Sequence, residues 1–267
     1  MDTPSPDRET PDVSFVIPCY NEEALIGYTI PRLMGAFQQA GHDLEIVAVE
    51  NGSTDRTGEI LAAMSAENPR IVVEKIEVNR GYGAGILAGL ERASAPWVGM
   101  IPADGQVDAE DVVRLYDAVV QTDGHVLGKV RRRFRMDGFR RKVVSIVYNV
   151  LFRMLWPKLR SLDINGSPKL LPRPALDAMR LRSEGWLLDP EIMIKAHYMG
   201  MDVLEVSVFS RMRGNGVSNV RPMTVVEFLT YLARFRFSRR WAADFRAAAQ
   251  SGNRAVLVGS DTDPDAD

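Results

Sequence analysis

From Val13 onward the chain alternates short β-branched runs with longer segments of helical periodicity. That pattern restricts the fold to stacked βα units around a mainly parallel sheet flanked by helices. The runs are Val13 to Ile17, Leu44 to Val49, Ile71 to Ile76 and Trp97 to Ile101. Helices are expected near Glu23 to Ala40, Asp55 to Ala66 and Gly83 to Arg92. A fifth run at Gly124 to Gly128 leads into a basic, aromatic region ending near Arg160, with a helix expected from Phe139 to Trp156. Beyond it follow a short run at Lys169 to Leu171, a helix from Pro190 to Met199, a strand from Asp202 to Phe209 and a last helix near Thr224 to Ala248. No internal repeat is present.

In an open parallel sheet, ligands collect beyond the carboxyl ends of the strands. The segments after Ile17, Val49 and Ile101 should therefore converge on one crevice. After the first strand comes Pro18-Cys19-Tyr20-Asn21-Glu22-Glu23, and after the second Glu50-Asn51-Gly52-Ser53-Thr54-Asp55, an acid, a tight glycine turn and a Ser/Thr cap. A capped turn alone would look the same. Next, Asn79-Arg80-Gly81-Tyr82-Gly83-Ala84-Gly85 is glycine-rich ahead of a helix, where backbone amides could approach phosphate oxygens. A dinucleotide-binding dehydrogenase is a poor match, because Ile86 occupies the last glycine position and the first βα turn has no glycines. The fourth strand runs into Pro102-Ala103-Asp104-Gly105-Gln106.

Taken in order, these four segments resemble family 2 glycosyltransferases of the GT-A fold, and within them the branch of dolichyl-phosphate mannose and glucose synthases. The resemblance continues through Asp163-Ile164-Asn165-Gly166-Ser167-Pro168-Lys169, Leu188-Asp189-Pro190-Glu191 and Arg211-Met212-Arg213-Gly214-Asn215-Gly216-Val217-Ser218-Asn219. It implies a single Rossmann-like nucleotide-binding domain over residues 13–220. It also implies inverting transfer of a hexose from a GDP-mannose- or UDP-glucose-type donor to a polyprenyl phosphate, assisted by Mg2+ or Mn2+. Pro18, Tyr20, Glu22, Glu50 and Gly81 would hold the nucleotide-sugar, and Asp104 with Gln106 the metal. Arg131, Ser167, Arg213 and Ser218 would meet the acceptor phosphate, and Asp104, Asp189 and Arg213 would form the catalytic set. Two positions depart from that pattern: Pro102 replaces the first aspartate of an Asp-x-Asp motif, and Glu50 replaces an aspartate. Magnesium is commonly held by one or two carboxylates with substrate phosphates completing its shell, so Asp104 alone suffices with weaker affinity.

A phosphate monoester has a second pKa near about 6 and is already nucleophilic at neutral pH, so a phosphate acceptor needs no strong base. A sugar hydroxyl would, and Asp189 or Glu191 are then the candidates. Arg131-Arg132-Arg133-Phe134-Arg135 and Arg140-Arg141-Lys142 favour the phosphate, since guanidinium pairs well with its oxygens; a solvated charged face is the plain alternative. The apolar Val143 to Phe152 could lie on a bilayer surface or in the core.

A formal net charge of −2 and no recognisable motif argue against nucleic acid, and the one cysteine, Cys19, rules out an internal disulfide. No secretory signal is expected at the N-terminus, and no apolar stretch reaches the ~18–20 residues that span a bilayer. These features suggest a cytoplasmic protein, peripheral at the cytosolic membrane face. Disordered tails are expected at residues 1–12 and 249–267, and an amphipathic helical segment at 221–248. A soluble glycosyltransferase acting on a sugar or small-molecule hydroxyl, and a catalytically silent nucleotide-sugar binder, remain the competing readings.

Overall fold

The computed structural model describes residues 10–134, 150–157, 159, 161, 163–209, 230, 232 and 236. Seven strands form one sheet: β1 (Val13–Cys19), β2 (Leu44–Asn51), β3 (Ile71–Ile76), β4 (Trp97–Met100), β5 (Val126–Phe134), β6 (Lys169–Pro172) and β7 (Asp202–Phe209). Their spatial order is β3-β2-β1-β4-β6-β5-β7. The helices are α1 (Ile26–Gln39), α2 (Thr57–Glu67), α3 (Tyr82–Arg92), α4 (Ala109–Val120), α5 (Arg173–Met179) and α6 (Leu188–Tyr198).

Side chains alternate across a strand, and both faces of this sheet are covered, which is why the first strands read as continuous apolar runs. Val13, Phe15, Ile17, Ile46 and Ala48 face α1, α2 and α4. Val16, Val47, Val49 and Val98 face α3, α5 and α6, joined by Phe152, Trp156 and Leu159. The result is a three-layer α/β/α sandwich.

The sheet is mainly parallel, as expected: β2 and β4 flank β1 in parallel, β3 runs parallel to β2, and β7 to β5. The difference lies in β6, which is antiparallel to both β4 and β5. Its amino end therefore lies at the same edge as the carboxyl ends of the other six. β5 also runs past the expected limit at Gly128 through the basic residues to Phe134, because pairing with β7 continues that far and satisfies the backbone whatever the side chains. Helices α4 and α5 were not expected. For α4 the signal was present: Val112, Tyr116 and Val119 recur at helical spacing, with Glu110 and Asp111 in the first turn. Of the helix expected over Phe139 to Trp156, residues 150–155 are helical and the rest lies outside the described residues. Residues 1–9 of the expected N-terminal tail, all of 249–267 and most of the 221–248 segment also lie outside them; residues 10–12 of that tail are instead described, with the Asp12 amide donating to the Asp43 carbonyl at 2.9 Å and the Asp12 carboxylate accepting the Asp43 amide at 2.8 Å.

One close approach sets the separation of α3 from the sheet. A Cβ on Gly89 would overlap Val16 Cγ1 and stand 2.8 Å from Val49 Cγ2. Helix propensity alone would favour Gly89→Ala by about 1 kcal/mol, but both neighbours are β-branched residues locked in central strands. Overpacking should prevail, destabilising the protein by about 1–3 kcal/mol and lowering the urea midpoint; an unchanged or higher midpoint would show that the sheet yields.

Candidate active site

The loops after β1 and β2 are laced into one ledge. Asn21 takes a left-handed backbone (φ 54°), which asparagine tolerates. Its Oδ1 accepts the Thr54 amide (2.8 Å) and its own amide donates to Ser53 Oγ (3.2 Å). The Glu22 amide donates to Thr57 Oγ1 (2.9 Å), and Glu23 exchanges bonds with the other loop, giving its amide to Asp55 (3.2 Å) and accepting the Arg56 amide (3.0 Å). These bonds hold residues 21–23 in a loop ahead of α1, which starts at Ile26 rather than Glu23. Burial would raise the Asp55 carboxyl, but hydrogen bonds from Thr57 and the Glu23 amide bring it below its ordinary value.

Glu50, 6% exposed, accepts the Ser53 amide at 2.5 Å across the Gly52 turn. Burial pushes the Cys19 thiol well up, and the carboxylates of Glu22 and Glu50 add to the shift. Both acids therefore direct negative charge at the end of β1, where Tyr20 stands exposed.

The glycine-rich loop differs from a bare phosphate cradle. The Asn51 side chain clamps it, donating to the Gly81 carbonyl (3.0 Å) and accepting the Arg80 amide (3.2 Å). The space left by the absent Gly83 side chain is filled by the backbone of Ser183 to Gly185, and the Ala84 amide donates to the Glu184 carbonyl at 2.8 Å. The glycines thus admit another part of the chain, and the Ala84 amide is used by protein.

Asp104 follows β4, half-buried, with its Oδ1 accepting the Gln106 amide at 3.2 Å. Gly105 between them has φ 60° and packs towards Thr29, which also bonds the Ala103 carbonyl at 3.1 Å. The Asp-Gly-Gln turn is thereby tied to α1. Among the described residues no cluster of three or more His, Cys, Asp or Glu could hold a metal unaided. One carboxylate and one amide oxygen suit a cation whose remaining ligands come from a diphosphate and water.

The opposite wall is built on buried charge. Ser167 Oγ donates to the Met100 carbonyl at 3.2 Å. Lys169 lies opposite Met100 on one side and Lys129 on the other, and both lysines are fully buried. Lys169 pairs with Asp189 at the start of α6. Lys129 pairs with Glu205 (3.5 Å) and donates to Ser161 Oγ (3.1 Å) and the Asp163 carbonyl. Burial and the neighbouring Lys169 push Lys129 down to about 8, against the pull of Asp163, Glu205 and Asp189. Glu191 is also buried: it pairs with Lys195 (2.5 Å) and accepts the amides of Arg182 and Ser183 (3.2 and 2.8 Å).

This convergence of loops has counterparts among known proteins. A model described as glycosyl transferase family 2 matches residues 14–179. The chain belongs to that family. An undecaprenyl-phosphate 4-deoxy-4-formamido-L-arabinose transferase of Pectobacterium carotovorum is 37% identical over 145 residues, covering 53% of this chain and 43% of that one. The protein of the same name from Pseudomonas fluorescens is 31% identical over 219 residues (81% and 62%). A dolichol-phosphate mannosyltransferase of Pyrococcus furiosus is 28% identical over 229 residues (83% and 63%). The chain thus spans 43% to 63% of the length of these relatives, and its resemblance to the polyprenyl-phosphate branch of family 2 holds. Among solved structures, glucosyl-3-phosphoglycerate synthase from Mycobacterium tuberculosis with UDP superposes with a TM-score of 0.65 at 20% identity, covering 84% of this chain and 79% of that one. The same enzyme with Mn2+, UDP and phosphoglyceric acid gives 0.63 at 22% identity (84% and 75%). Those likenesses show the GT-A fold.

Within this family 2 chain, Pro18, Tyr20, Glu22, Glu50, Gly81, Asp104, Gln106, Arg131 and Ser167 all lie at one edge of the sheet. Asp189 joins them through Lys169. Arg213 and Ser218 lie outside the described residues. Sequence reasoning gave no role to Asn51, Lys129 or Lys169; Asn51 and Lys169 appeared only as members of quoted segments, and Lys129 fell just past the expected end of its strand run. Glu191, weighed as a base, proves to be a clamp on the loop before α6.

The Lys129 shift makes a test. Because its folded-state value (about 8) lies below the ordinary 10.5, the unfolded chain holds more protons between those values, so this side chain's contribution to stability rises as pH climbs through that window. Urea midpoints of the wild type relative to Lys129→Met should therefore increase from pH 7.5 to 10, and a constant difference would remove the assignment.

Proposed function

We propose that the chain moves a hexose from a nucleoside-diphosphate sugar of the GDP or UDP type to a polyprenyl phosphate, inverting the anomeric carbon. One observation carries this reading. The two carboxylates of α6 that could accept a proton from a hydroxyl are each held by a buried lysine, Asp189 by Lys169 and Glu191 by Lys195. Protonating either would leave a lysine charge buried without its partner, which is expensive. An acceptor that is already an anion needs no such proton transfer, and a phosphate monoester meets that condition. The names of the curated relatives, transferases to undecaprenyl phosphate and dolichol phosphate, support the same acceptor.

In this mechanism the ledge of Pro18, Tyr20, Glu22 and Glu50 receives base and ribose, and Gly81 borders the diphosphate. Asp104 and Gln106 would hold Mg2+ or Mn2+, which when bound offsets the charge of the departing diphosphate. Arg131 and Ser167, with Arg213 and Ser218, orient the acceptor phosphate. One phosphate oxygen bonds to the anomeric carbon as the bond from that carbon to the diphosphate oxygen breaks, and its electron pair leaves with the nucleoside diphosphate. No helix among the described residues is long and apolar enough to cross a membrane. We place the chain at the cytosolic membrane face, held there by its acceptor and by the basic segment after β5.

Two measurements test this. Transfer to a short-chain polyprenyl phosphate should rise through pH ~6 with the second phosphate ionisation and level off by about pH 7.5, while the matching polyprenol should accept nothing; equal transfer to the polyprenol would overturn the phosphate reading. Asp104→Asn should lower kcat/KM by about 10²-fold or more at every magnesium and manganese concentration, and unchanged turnover would remove the metal assignment.

A further inference from the structure

Trp186 is 56% exposed, yet the segment that carries it is pinned on both sides. Behind it, Glu191 accepts the Arg182 and Ser183 amides and Lys195 donates to the Arg180 carbonyl at 3.0 Å. In front, the Glu184 carbonyl accepts the Ala84 amide, and the Glu184 carboxylate pairs with Arg80 at 2.8 Å. Gly83 lets the two backbones meet, since a Cβ there would overlap the Ser183 carbonyl and stand 2.6 Å from the Glu184 carbonyl carbon. The Trp186 ring then lies parallel to Tyr82, with centroids 5.4 Å apart and planes 8° from coplanar. An indole would gain more from burial than from this half-exposed stack. The chain instead fixes a flat aromatic surface at the solvent boundary and spends a buried ion pair, three backbone amides and a glycine to do so.

The location indicates what the surface is for. Tyr82 opens α3 directly after Gly81, which is clamped by Asn51, and a Cβ on Gly85 in the same helix would stand 3.2 Å from Pro18 Cβ. Three residues after Trp186, Asp189 reaches Lys169 beside Ser167. The aromatic pair thus stands where the donor loops meet the wall assigned to the acceptor, and the transferred sugar must occupy that junction. We infer that Trp186, backed by Tyr82, is a stacking platform for the pyranose ring of the donor, a specificity-determining contact that rests on the function proposed above. The apolar C–H face of a pyranose fits an aromatic plane, and the charged pair Arg80–Glu184 alongside suits sugar hydroxyls and not a prenyl chain.

Calorimetric titration of UDP, GDP, UDP-glucose and GDP-mannose in manganese, with wild type, Trp186→Ala and Trp186→Phe, tests the platform. For whichever pair the wild type binds, the alanine variant should bind the nucleotide-sugar about tenfold more weakly and the nucleoside diphosphate within about twofold, with phenylalanine staying close to wild type. Equal weakening of both ligands would assign Trp186 to the nucleotide. No weakening of either, with a raised KM for polyprenyl phosphate, would assign it to the acceptor, and no change in any of these would leave the platform without a role. Each of those results overturns the inference while leaving the proposed function standing. Absence of wild-type binding to all four ligands would instead remove that function, and the platform with it. Thermal melts close to wild type, expected for an exposed side chain, keep the alanine result interpretable.

Discussion

The pairing of Lys169 with Asp189 is the constraint around which the two halves of the sheet are joined. Lys169 sits in β6, the antiparallel strand between β4 on the donor side and β5 on the other. An unpaired ammonium at that depth would cost several kcal/mol, so β6 can take its place only if α6 delivers a carboxylate above it. Satisfying that demand fixes the start of α6, and through Glu191 the start of α6 fixes the loop that closes over α3. One buried charge thereby couples strand order, helix placement and the rim of the crevice.

Much of this was legible in the residues. Runs dominated by β-branched and other apolar residues located β1 to β3 and β7 within two residues, and the capped glycine turn after β2 placed the ledge at the carboxyl edge. The reversal of β6 was not legible, because four residues, Lys-Leu-Leu-Pro, have the same composition in either direction; direction comes from pairing with strands about 70 and 40 residues earlier in the chain. The extension of β5 into an arginine run was hidden for the same reason, with β7 supplying the partner. Glycines 81, 83 and 85 were read as places where backbone amides could approach phosphate oxygens, but sequence cannot say whether ligand or protein makes the approach. At Gly83 it is the backbone of residues 183–185, a hundred positions away.

The ledge shows how polar side chains replace regular structure where the chain must turn. Asn21, Ser53, Asp55 and Thr57 satisfy backbone amides that neither strand nor helix can reach, and in doing so they fix the positions of Tyr20, Glu22 and Glu50. Rigid support of this kind suits the nucleotide-binding role proposed for the ledge, since little further ordering would be required on binding. The same economy appears at Asp104, whose own turn and whose tie through Thr29 to α1 set the carboxylate before any ligand arrives.

Charge divides the crevice unevenly. Glu22, Glu50 and Asp104 line the side given to the donor, whereas Lys129, Lys169 and Arg131 lie on or beneath the side given to the acceptor. A nucleoside diphosphate entering among three carboxylates would meet a repulsive field unless a cation accompanied it, so the proposed chemistry calls for a metal even with Asp104 as its single carboxylate ligand. The acceptor phosphate faces the opposite situation. In the proposed reaction its charge would meet Arg131 in β5, while the lysines beneath are paired with Asp189 and Glu205. The proposed transfer would carry a sugar from the side lined by carboxylates to the side that bears Arg131, across the junction where Trp186 and Tyr82 present their stacked faces.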